Sequence, residues 1–332
     1  MAKKHKSAPK LDVSKHVTSR RLARWEKERR RRRIYTAGGI LVIALVVIIV
    51  AVAYAGNTTE GERWVTSVGK TEFNGNDYAD ALYLYQVGLY NVSASHNESP
   101  LLLLETRELV RQGAVEFGIG ATDTELDQLL RSMFQTGNQS LTEEEFQQTY
   151  QDYLGKTGLT DGEFRDYMEF QLLQLKIDQY LKAQIPNSSM QVYLESILTN
   201  SEEDVLAAGA RIHAGENFSE VGQNYSYSDL GWFPRGIMYA DIEEVAFSLE
   251  VGEVSEPIHV NDPDAQLDYY YLIKVKAKEK RAIEDMYREQ LESSAYPGWL
   301  AMQRDNKVER NPNLDLDELY QWALEQLAER RG

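Results

Sequence analysis

Few residues in this chain could do chemistry, and histidines and carboxylates are the main candidates. His213 and His259 stand alone in the sequence, whereas Glu143–Glu145 places three carboxylates side by side. Paired carboxylates can act as general acid and base, as in glycoside hydrolysis. However, Thr142 followed by Glu145 also fits a capping box, in which a hydroxyl and a carboxylate three residues apart satisfy free amides at a helix start. We therefore expect a structural role for these acids.

Residue types exclude several kinds of catalytic site. The chain has no cysteine, which excludes disulfides, thiolate catalysis and cysteine-bound metal. It contains neither a His-Glu-x-x-His zinc motif nor a glycine-rich phosphate loop. His213 and His259 fit ordinary surface or core positions better than a catalytic site. We expect no metal and no other cofactor.

An uncharged apolar run separates a basic part of the chain from an acidic part. Ile34–Gly56 contains no ionisable acid or base, and about 20 apolar residues suffice to cross the hydrocarbon core. Residues 1–33 hold fourteen Lys/Arg and three acids, a net charge of +11, so the remainder carries −27 within the total of −16. Because positive residues favour the cytoplasmic side, the sequence predicts a single-pass protein of the bacterial cell membrane. Its N-terminus would be cytoplasmic and its bulk extracytoplasmic.

Two alternatives concern the same N-terminal part of the chain. Ala53-Tyr54-Ala55 fits the small-x-small pattern of a cleaved signal peptide, but the long basic segment and the long apolar run favour an uncleaved anchor. The basic residues could also contact nucleic acid. Membrane topology and anionic lipid headgroups explain the same residues without a further partner, so we expect no nucleic-acid partner.

Beyond the apolar run, sequence patterns predict helices on both sides of a smaller mixed region. Capping boxes mark helix starts at Thr122, Thr142 and Thr160. The helix that begins at Asp161 has apolar residues on two faces, which indicates burial between neighbours. Strands predicted at 192–198, 254–260 and 269–276 are mixed with short helices. The predicted fold class is therefore α+β, with a compact α+β unit inserted between helical segments.

Five motifs in the mixed region resemble parvulin-type peptidyl-prolyl isomerases, in that family's order and with nearly its spacing. They are Gly215-Glu-Asn-Phe218, Asn224-Tyr225-Ser226, Asp229-Leu230-Gly231-Trp232-Phe233, Arg235-Gly-Ile-Met238 and the stretch from Phe247 to Ile258. The flanking helix starts at Thr122 and Thr160 resemble those of the SurA and PrsA foldases. In these foldases a helical chaperone module surrounds a parvulin domain.

This resemblance divides the chain into five predicted parts. They are a basic cytoplasmic tail (1–33), a transmembrane helix (34–56), a helical SurA-N-like chaperone domain (57–189), a parvulin-like domain (190–280) and C-terminal helices that pack on the chaperone module (281–332).

The resemblance implies an apolar proline pocket beside a polar cluster. The sequence keeps residues of the pocket but not those of the polar cluster. Leu230 and Met238 match pocket positions, and Ile242 stands where the family usually has Phe, although all three could be ordinary core residues. Ser196 and Tyr271 replace the family's two histidines, and the segment that would carry its Cys or Asp is missing. Both hydroxyls can donate and accept hydrogen bonds, so they could form a network of their own.

Function follows from which half of the site is kept. Rotation about an X-Pro bond crosses a barrier of about 20 kcal/mol, and losing oriented polar groups typically costs about 2–4 kcal/mol of transition-state stabilisation. The sequence therefore predicts a membrane-anchored foldase or chaperone for unfolded or proline-containing secreted polypeptides, with weak or lost isomerase activity. The alternatives are an active peptidyl-prolyl isomerase and a structural subunit of an envelope complex.

Overall fold

The computed structural model describes residues 60–89, 94–135, 141–262 and 267–331. The predicted basic tail (1–33) and transmembrane helix (34–56) lie outside these residues. No helix in the described ranges combines the length and apolarity that a membrane crossing requires. Within these residues the chain divides into two units, 60–64 with Asn74–Asn76 and Val65–Phe73 with the residues from Asp77 onward. Within the first unit, the Gly75 amide donates to the Arg63 carbonyl over 3.0 Å.

Ten α-helices and seven β-strands occur in the described residues. The helices are α1 (Gly75–Gln86), α2 (Ser99–Phe117), α3 (Asp123–Phe134), α4 (Glu143–Thr157), α5 (Asp161–Ala183), α6 (Glu202–His213), α7 (Phe218–Gly222), α8 (Ala240–Ser248), α9 (Asp285–Lys307) and α10 (Leu316–Arg331). The strands are β1 (Trp64–Val68), β2 (Thr71–Asn74), β3 (Ser188–Thr199), β4 (Ser226–Pro234), β5 (Ile258–Asp262), β6 (Leu267–Ala282) and β7 (Val308–Arg310). The architecture is α+β, as the sequence predicts.

The mixed region forms an antiparallel sheet with the strand order β4-β3-β6-β5. Successive side chains of a strand point to opposite faces, and both faces are used. Leu194 and Ile273 pack with Ile242 of α8 on one face. Ile197 and Leu272 pack with residues of α6 and α7 on the other.

The predicted strand at residues 254–260 is wrong in its first half. Val254 makes only an isolated bridge with Lys274, and β5 begins at Ile258. Pro257 has no amide to donate to a ladder. Ser255 replaces the missing ladder contact, because its Oγ accepts a hydrogen bond from the Ile273 amide over 3.0 Å.

Two other strands differ from the sequence prediction. Strand β4 was not predicted, since Gly231 and Pro234 weaken the local strand signal. Strand β6 runs on to Ala282 instead of ending at residue 276, because its second half pairs with the start of β3. The polar run after Val275 gives no apolar alternation from which this pairing could be predicted.

The helical part confirms the three predicted capping boxes. In each box the threonine hydroxyl accepts from the amide three residues on, and the glutamate accepts from the threonine amide; the threonines are Thr122, Thr142 and Thr160. Helix α5 is buried on two sides, with Phe164 in one apolar cluster and Ile177 in another. Its predicted position between neighbouring helices is confirmed.

The C-terminal segment returns to the helical part, where its Arg310 pairs with a buried carboxylate. Strand β7 pairs antiparallel with β1. The Arg310 guanidinium holds the fully buried Glu105 carboxylate through two hydrogen bonds, of 2.7 and 3.0 Å. Trp299 of α9 is buried beside α2 and α5, where it fills the space above Gly113. Bidentate pairing compensates the desolvation of the buried carboxylate.

The chain crosses between the helical part and the mixed region twice, and the two crossings lie side by side. Ser188 at the start of β3 pairs with Ala282 at the end of β6. The Ile283 amide donates to the Asn187 carbonyl over 3.0 Å. Arg288 in the first turn of α9 donates to the Pro186 carbonyl over 2.9 Å. The start of α9 is therefore held at the base of the mixed region.

Candidate functional site

A cleft of about 470 Å³ opens between the sheet and α8. Its lining residues are Ser196, Leu230, Phe233, Ile237, Met238, Tyr239, Ile242, Tyr271, Ile273 and Gln290. All five site residues predicted from the sequence lie in this lining: Ser196, Leu230, Met238, Ile242 and Tyr271. The structure thus brings them together, while the roles assigned to them stay predictions.

The sheet register brings the two predicted polar residues to the same face. Ser196 of β3 is the cross-strand partner of Ile273 on β6. Tyr271 lies two residues before Ile273 on β6 and therefore points to the same side. Residues in this diagonal relation are within reach of a long or aromatic side chain. Ser196 and Tyr271 consequently share one wall of the cleft.

A β-bulge in β4 positions Leu230. Leu194 pairs with Gly231 and Glu195 pairs with Asp229, so that Leu230 is left over between them. An extra residue of this kind bends the strand and redirects its side chain. Gly231 has a φ of +83°, a conformation that favours glycine. As a result, Leu230 reaches the cleft with its side chain 40% exposed.

The opposite wall is the loop before α8 together with the first turn of that helix. Ile242 is 7% exposed and belongs to the core beneath the cleft, with Met238 packed against it. The loop is held by polar contacts, since the Gly236 amide donates to Glu243 over 2.6 Å. The Arg235 guanidinium lies 4.0 Å from the centre of the Phe247 ring. This wall is therefore apolar and fixed.

The polar groups in the cleft are uncharged and have no partners. Its lining contains no Asp, Glu, Lys, Arg or His. Ser196 is only 4% exposed. Within the described residues, the side chains of Ser196, Tyr239, Tyr271 and Gln290 form no hydrogen bond. These polar groups are therefore available to a ligand in the cleft that offers hydrogen-bond donors and acceptors.

Burial raises the pKa of the Tyr271 phenol, and the nearby Tyr239 raises it further. The phenol of Tyr271 therefore stays protonated at neutral pH. A neutral phenol can donate a hydrogen bond to a carbonyl oxygen or to a pyramidal amide nitrogen, but it is no proton-accepting base. The chemistry available in the cleft is thus hydrogen bonding in an apolar surrounding.

Neither isolated histidine lies in the cleft. His213 ends α6 and borders a separate groove with Glu216 and Asn217. His259 on β5 pairs with Asp268 over 2.7 Å and stacks on Tyr270. The described part of the chain also holds no group of three or more residues able to bind a metal ion.

Sequence reasoning missed five residues of the lining: Phe233, Ile237, Tyr239, Ile273 and Gln290. Phe233 and Ile237 stand inside motifs that had been recognised, and Tyr239 directly follows one, so the signal for these three was present. Ile273 follows from Tyr271 by strand alternation. Gln290 lies on α9 beyond all motifs, and no local pattern marks it.

Comparison with known proteins agrees with this geometry. Residues 197–277 match the family model of the rotamase, PPIC-type PPIASE domain. This part of the chain is similar to parvulin-type peptidyl-prolyl isomerases, and we refer to it as the parvulin domain. The cleft lies in this parvulin domain, except for Ser196, which directly precedes the matched range, and Gln290.

Curated relatives extend the similarity beyond the parvulin domain. The chain is 31% identical over 168 residues to the foldase protein PrsA of Oceanobacillus iheyensis, covering 46% of this chain and 54% of that protein. It is 34% identical over 113 residues to PrsA of Geobacillus kaustophilus, covering 31% of this chain and 38% of that protein. The matches thus span about half of these relatives or less. A crystal structure of PrsA from Bacillus cereus covers 80% of this chain and 99% of its own, with 15% identity and a TM-score of 0.36.

Proposed function

We propose that this chain is a PrsA-like foldase that binds extended, proline-containing segments of unfolded secreted proteins in its parvulin cleft. Its isomerase activity is weak or lost, because Ser196 and Tyr271 stand where the parvulin family has histidines. The run at 34–56 tethers the protein to the bacterial cell membrane, with residues 57–332 extracytoplasmic. Cell fractionation tests the tether: the chain is expected to stay with the membrane through an alkaline carbonate wash.

The observation that carries this proposal is the combination of apolar walls with unpartnered neutral polar groups. Apolar side chains of a client, including a proline ring, fit against Leu230, Met238 and Ile242 and lose water there. The free hydroxyls and the carboxamide suit the carbonyls and amides of an extended main chain, which have no partners of their own. A charged substrate would find no counter-charge in the lining.

The surface of the helical part supports a chaperone role beyond the cleft. Val115 on α2 is 78% exposed, and Leu175 on α5 is 47% exposed. Apolar side chains left in water on a folded protein are suited to contact exposed apolar segments of unfolded chains. The charge of −27 on residues 34–332 keeps such a protein soluble.

An aggregation assay tests the chaperone role. The full chain in mild detergent is mixed with a chemically unfolded, proline-containing client at equimolar ratio, and light scattering is followed. The chain is expected to suppress aggregation. Leu230→Asp is expected to weaken suppression, because a charge enters the apolar cleft. Leu206→Asp serves as the matched control, since Leu206 is 54% exposed on α6, across the sheet. The absence of any suppression by the unaltered chain would refute the chaperone role.

An active isomerase is the second candidate, favoured by the unpartnered hydroxyls of Ser196 and Tyr271. A proline-limited refolding assay, with a familiar parvulin as positive control, decides between the two. The foldase proposal expects acceleration at least about 100-fold below the control, in line with the loss of oriented polar groups. Acceleration equal to the control that disappears in Ser196→Ala with Tyr271→Phe would establish the isomerase instead.

A further inference from the structure

One polar side chain of the cleft comes from α9, a separate helix that follows the parvulin domain. Gln290 lies on α9, beyond the matched residues 197–277, yet it lines the cleft together with Ser196 and Tyr271. A domain cut at the family boundary would therefore lack part of the cleft.

Helix α9 is fixed at this position by contacts on both sides of Gln290. Tyr287, one turn before it, contacts Phe233 of the cleft, with 5.6 Å between the ring centres. Leu291, the residue after Gln290, packs closely against Gly236. A Cβ added to Gly236 would lie 2.8 Å from the Cδ2 atom of Leu291. Residues three apart on a helix share a face, so Tyr287 and Gln290 both point towards the parvulin domain.

The carboxamide of Gln290 is free to bind a ligand. It forms no hydrogen bond with any residue that the structure describes. It offers two donor hydrogens and one acceptor oxygen, which matches an extended peptide main chain with its alternating carbonyls and amides. Ser196, which is 4% exposed, lines the same cleft and is also without a partner in the described residues. The cleft therefore combines polar groups from the sheet and from α9 with apolar side chains.

We propose that Gln290 is a peptide-binding residue, whose carboxamide holds the main chain of an extended client in the cleft that Ser196 and Tyr271 also line. Helix α9 thereby completes the site of the parvulin domain. This inference rests on the proposed function, namely that the cleft accepts polypeptide.

Peptide binding to single variants of the full chain tests it. The probe is a fluorescein-labelled tetrapeptide, Ala-Leu-Pro-Phe, and the Kd is measured by fluorescence polarisation in mild detergent. Gln290→Ala is expected to raise the Kd about 3- to 10-fold, the effect of one neutral hydrogen bond. Glu289→Ala is the matched control, because Glu289 is the exposed neighbour on the same helix and does not line the cleft. It is expected to leave the Kd unchanged.

Ester analogues of the probe separate a direct contact from a structural effect. Replacing one peptide amide by an ester removes its N–H and weakens the carbonyl as an acceptor. At the amide that Gln290 holds, the ester should weaken binding to the unaltered chain and have no further effect on Gln290→Ala. Equal losses in both proteins at every position would overturn the inference.

The failure of the inference can be told from the failure of the proposed function. If the unaltered chain binds the probe and Gln290→Ala binds it equally well, Gln290 has no binding role and the cleft keeps its proposed function. If the unaltered chain binds no peptide, the proposed function of the cleft fails and this inference fails with it.

Discussion

The two faces of the β4-β3-β6-β5 sheet differ in whether their polar side chains have hydrogen-bond partners. On the cleft face, the hydroxyls of Ser196 and Tyr271 have no hydrogen-bond partner in the described residues. On the other face, the Tyr227 hydroxyl donates to Glu195 over 2.6 Å, and Lys276 contacts Glu195 at 3.4 Å and Asp229 at 3.2 Å. Glu195 and Ser196 are neighbours in sequence, yet strand alternation gives one a full set of partners and the other none.

This difference distinguishes polar groups that hold the fold from those available to a ligand. The hydrogen bond to Glu195, together with burial, raises the pKa of Tyr227 to about 12, so the phenol remains a donor to that carboxylate. Removing the partner of a paired polar group destabilises the folded protein. A buried polar group without a partner already makes an unfavourable contribution to the free energy of folding. Substitutions on the paired face should therefore lower stability and leave peptide binding unchanged. Substitutions of polar groups on the cleft face should weaken peptide binding without lowering stability.

The largest expected effect is the removal of Glu195. Glu195→Ala leaves Tyr227 without its acceptor and takes from Lys276 one of its two carboxylates, and it should lower the free energy of unfolding by about 2–3 kcal/mol. Urea unfolding measures this loss, and peptide affinity at low urea should stay unchanged. Glu244→Ala, at an exposed position on α8, is the control that should change neither. A loss of binding with Glu195→Ala would show that the two faces are not separate.

The next effect concerns the bulge that aims Leu230 into the cleft. Gly231→Ala forces a side chain into a φ of +83° where no atom lies within 4 Å of the added Cβ. Backbone strain alone should then lower the free energy of unfolding by about 1–2 kcal/mol, and binding of the probe should weaken. Gly155→Ala in α4 also meets no atom, at a φ that alanine accepts, and should instead be stabilising. Equal effects of both variants on thermal unfolding would contradict the role given to the bulge.

A smaller effect of opposite sign is expected for Ser196→Ala. Because Ser196 as a residue is 4% exposed and its hydroxyl has no partner in the described residues, removing the hydroxyl should raise the free energy of unfolding by up to about 1 kcal/mol. Peptide binding should weaken at the same time. A variant that loses both stability and binding would place Ser196 with the structural groups of the other face.

The smallest effect is a pH dependence of the paired face. Burial would raise the pKa of Asp229, but hydrogen bonds from Tyr193 and Lys276 outweigh it and lower the pKa below its usual 3.8. A lowered folded-state pKa stabilises the fold above the unfolded pKa, and this stabilisation is lost as the pH falls through the folded value. The stability difference between the unaltered chain and Asp229→Asn should therefore shrink from pH 5 to pH 2. A constant difference across this range would contradict the pairing.

Much of this fold could be predicted from local signals. The three capping boxes specify helix starts through residues only three apart, and the buried helix α5 shows its two apolar faces directly. Strand β7, by contrast, could not be predicted from local signals. It has only three residues, too few for a sequence pattern, and its partner strand β1 lies at least 240 residues earlier in the chain. The second half of β6 also gives no local signal, because its strand conformation depends more on pairing with β3 than on its own polar sequence.

The residues of the candidate site also differ in whether a local sequence signal marks them. Ser196, Leu230, Met238, Ile242 and Tyr271 lie in segments that match short motifs or strand positions, so the resemblance marks each of them. Gln290 reaches the cleft only because α9 is held by Arg288 and Tyr287 at the base and rim of the domain. Such a contribution depends on the packing of two separate parts of the chain, which no motif encodes.

The paired crossings at Ser188 and Ala282 have a consequence for modular design. Cross-strand partners lie about 5 Å apart, a distance that a tight hairpin turn can span. Everything between these two positions could in principle be exchanged for such a turn, or for another domain with adjoining ends, without displacing the helices that flank it. The same helical framework could then carry a different module in place of the parvulin domain.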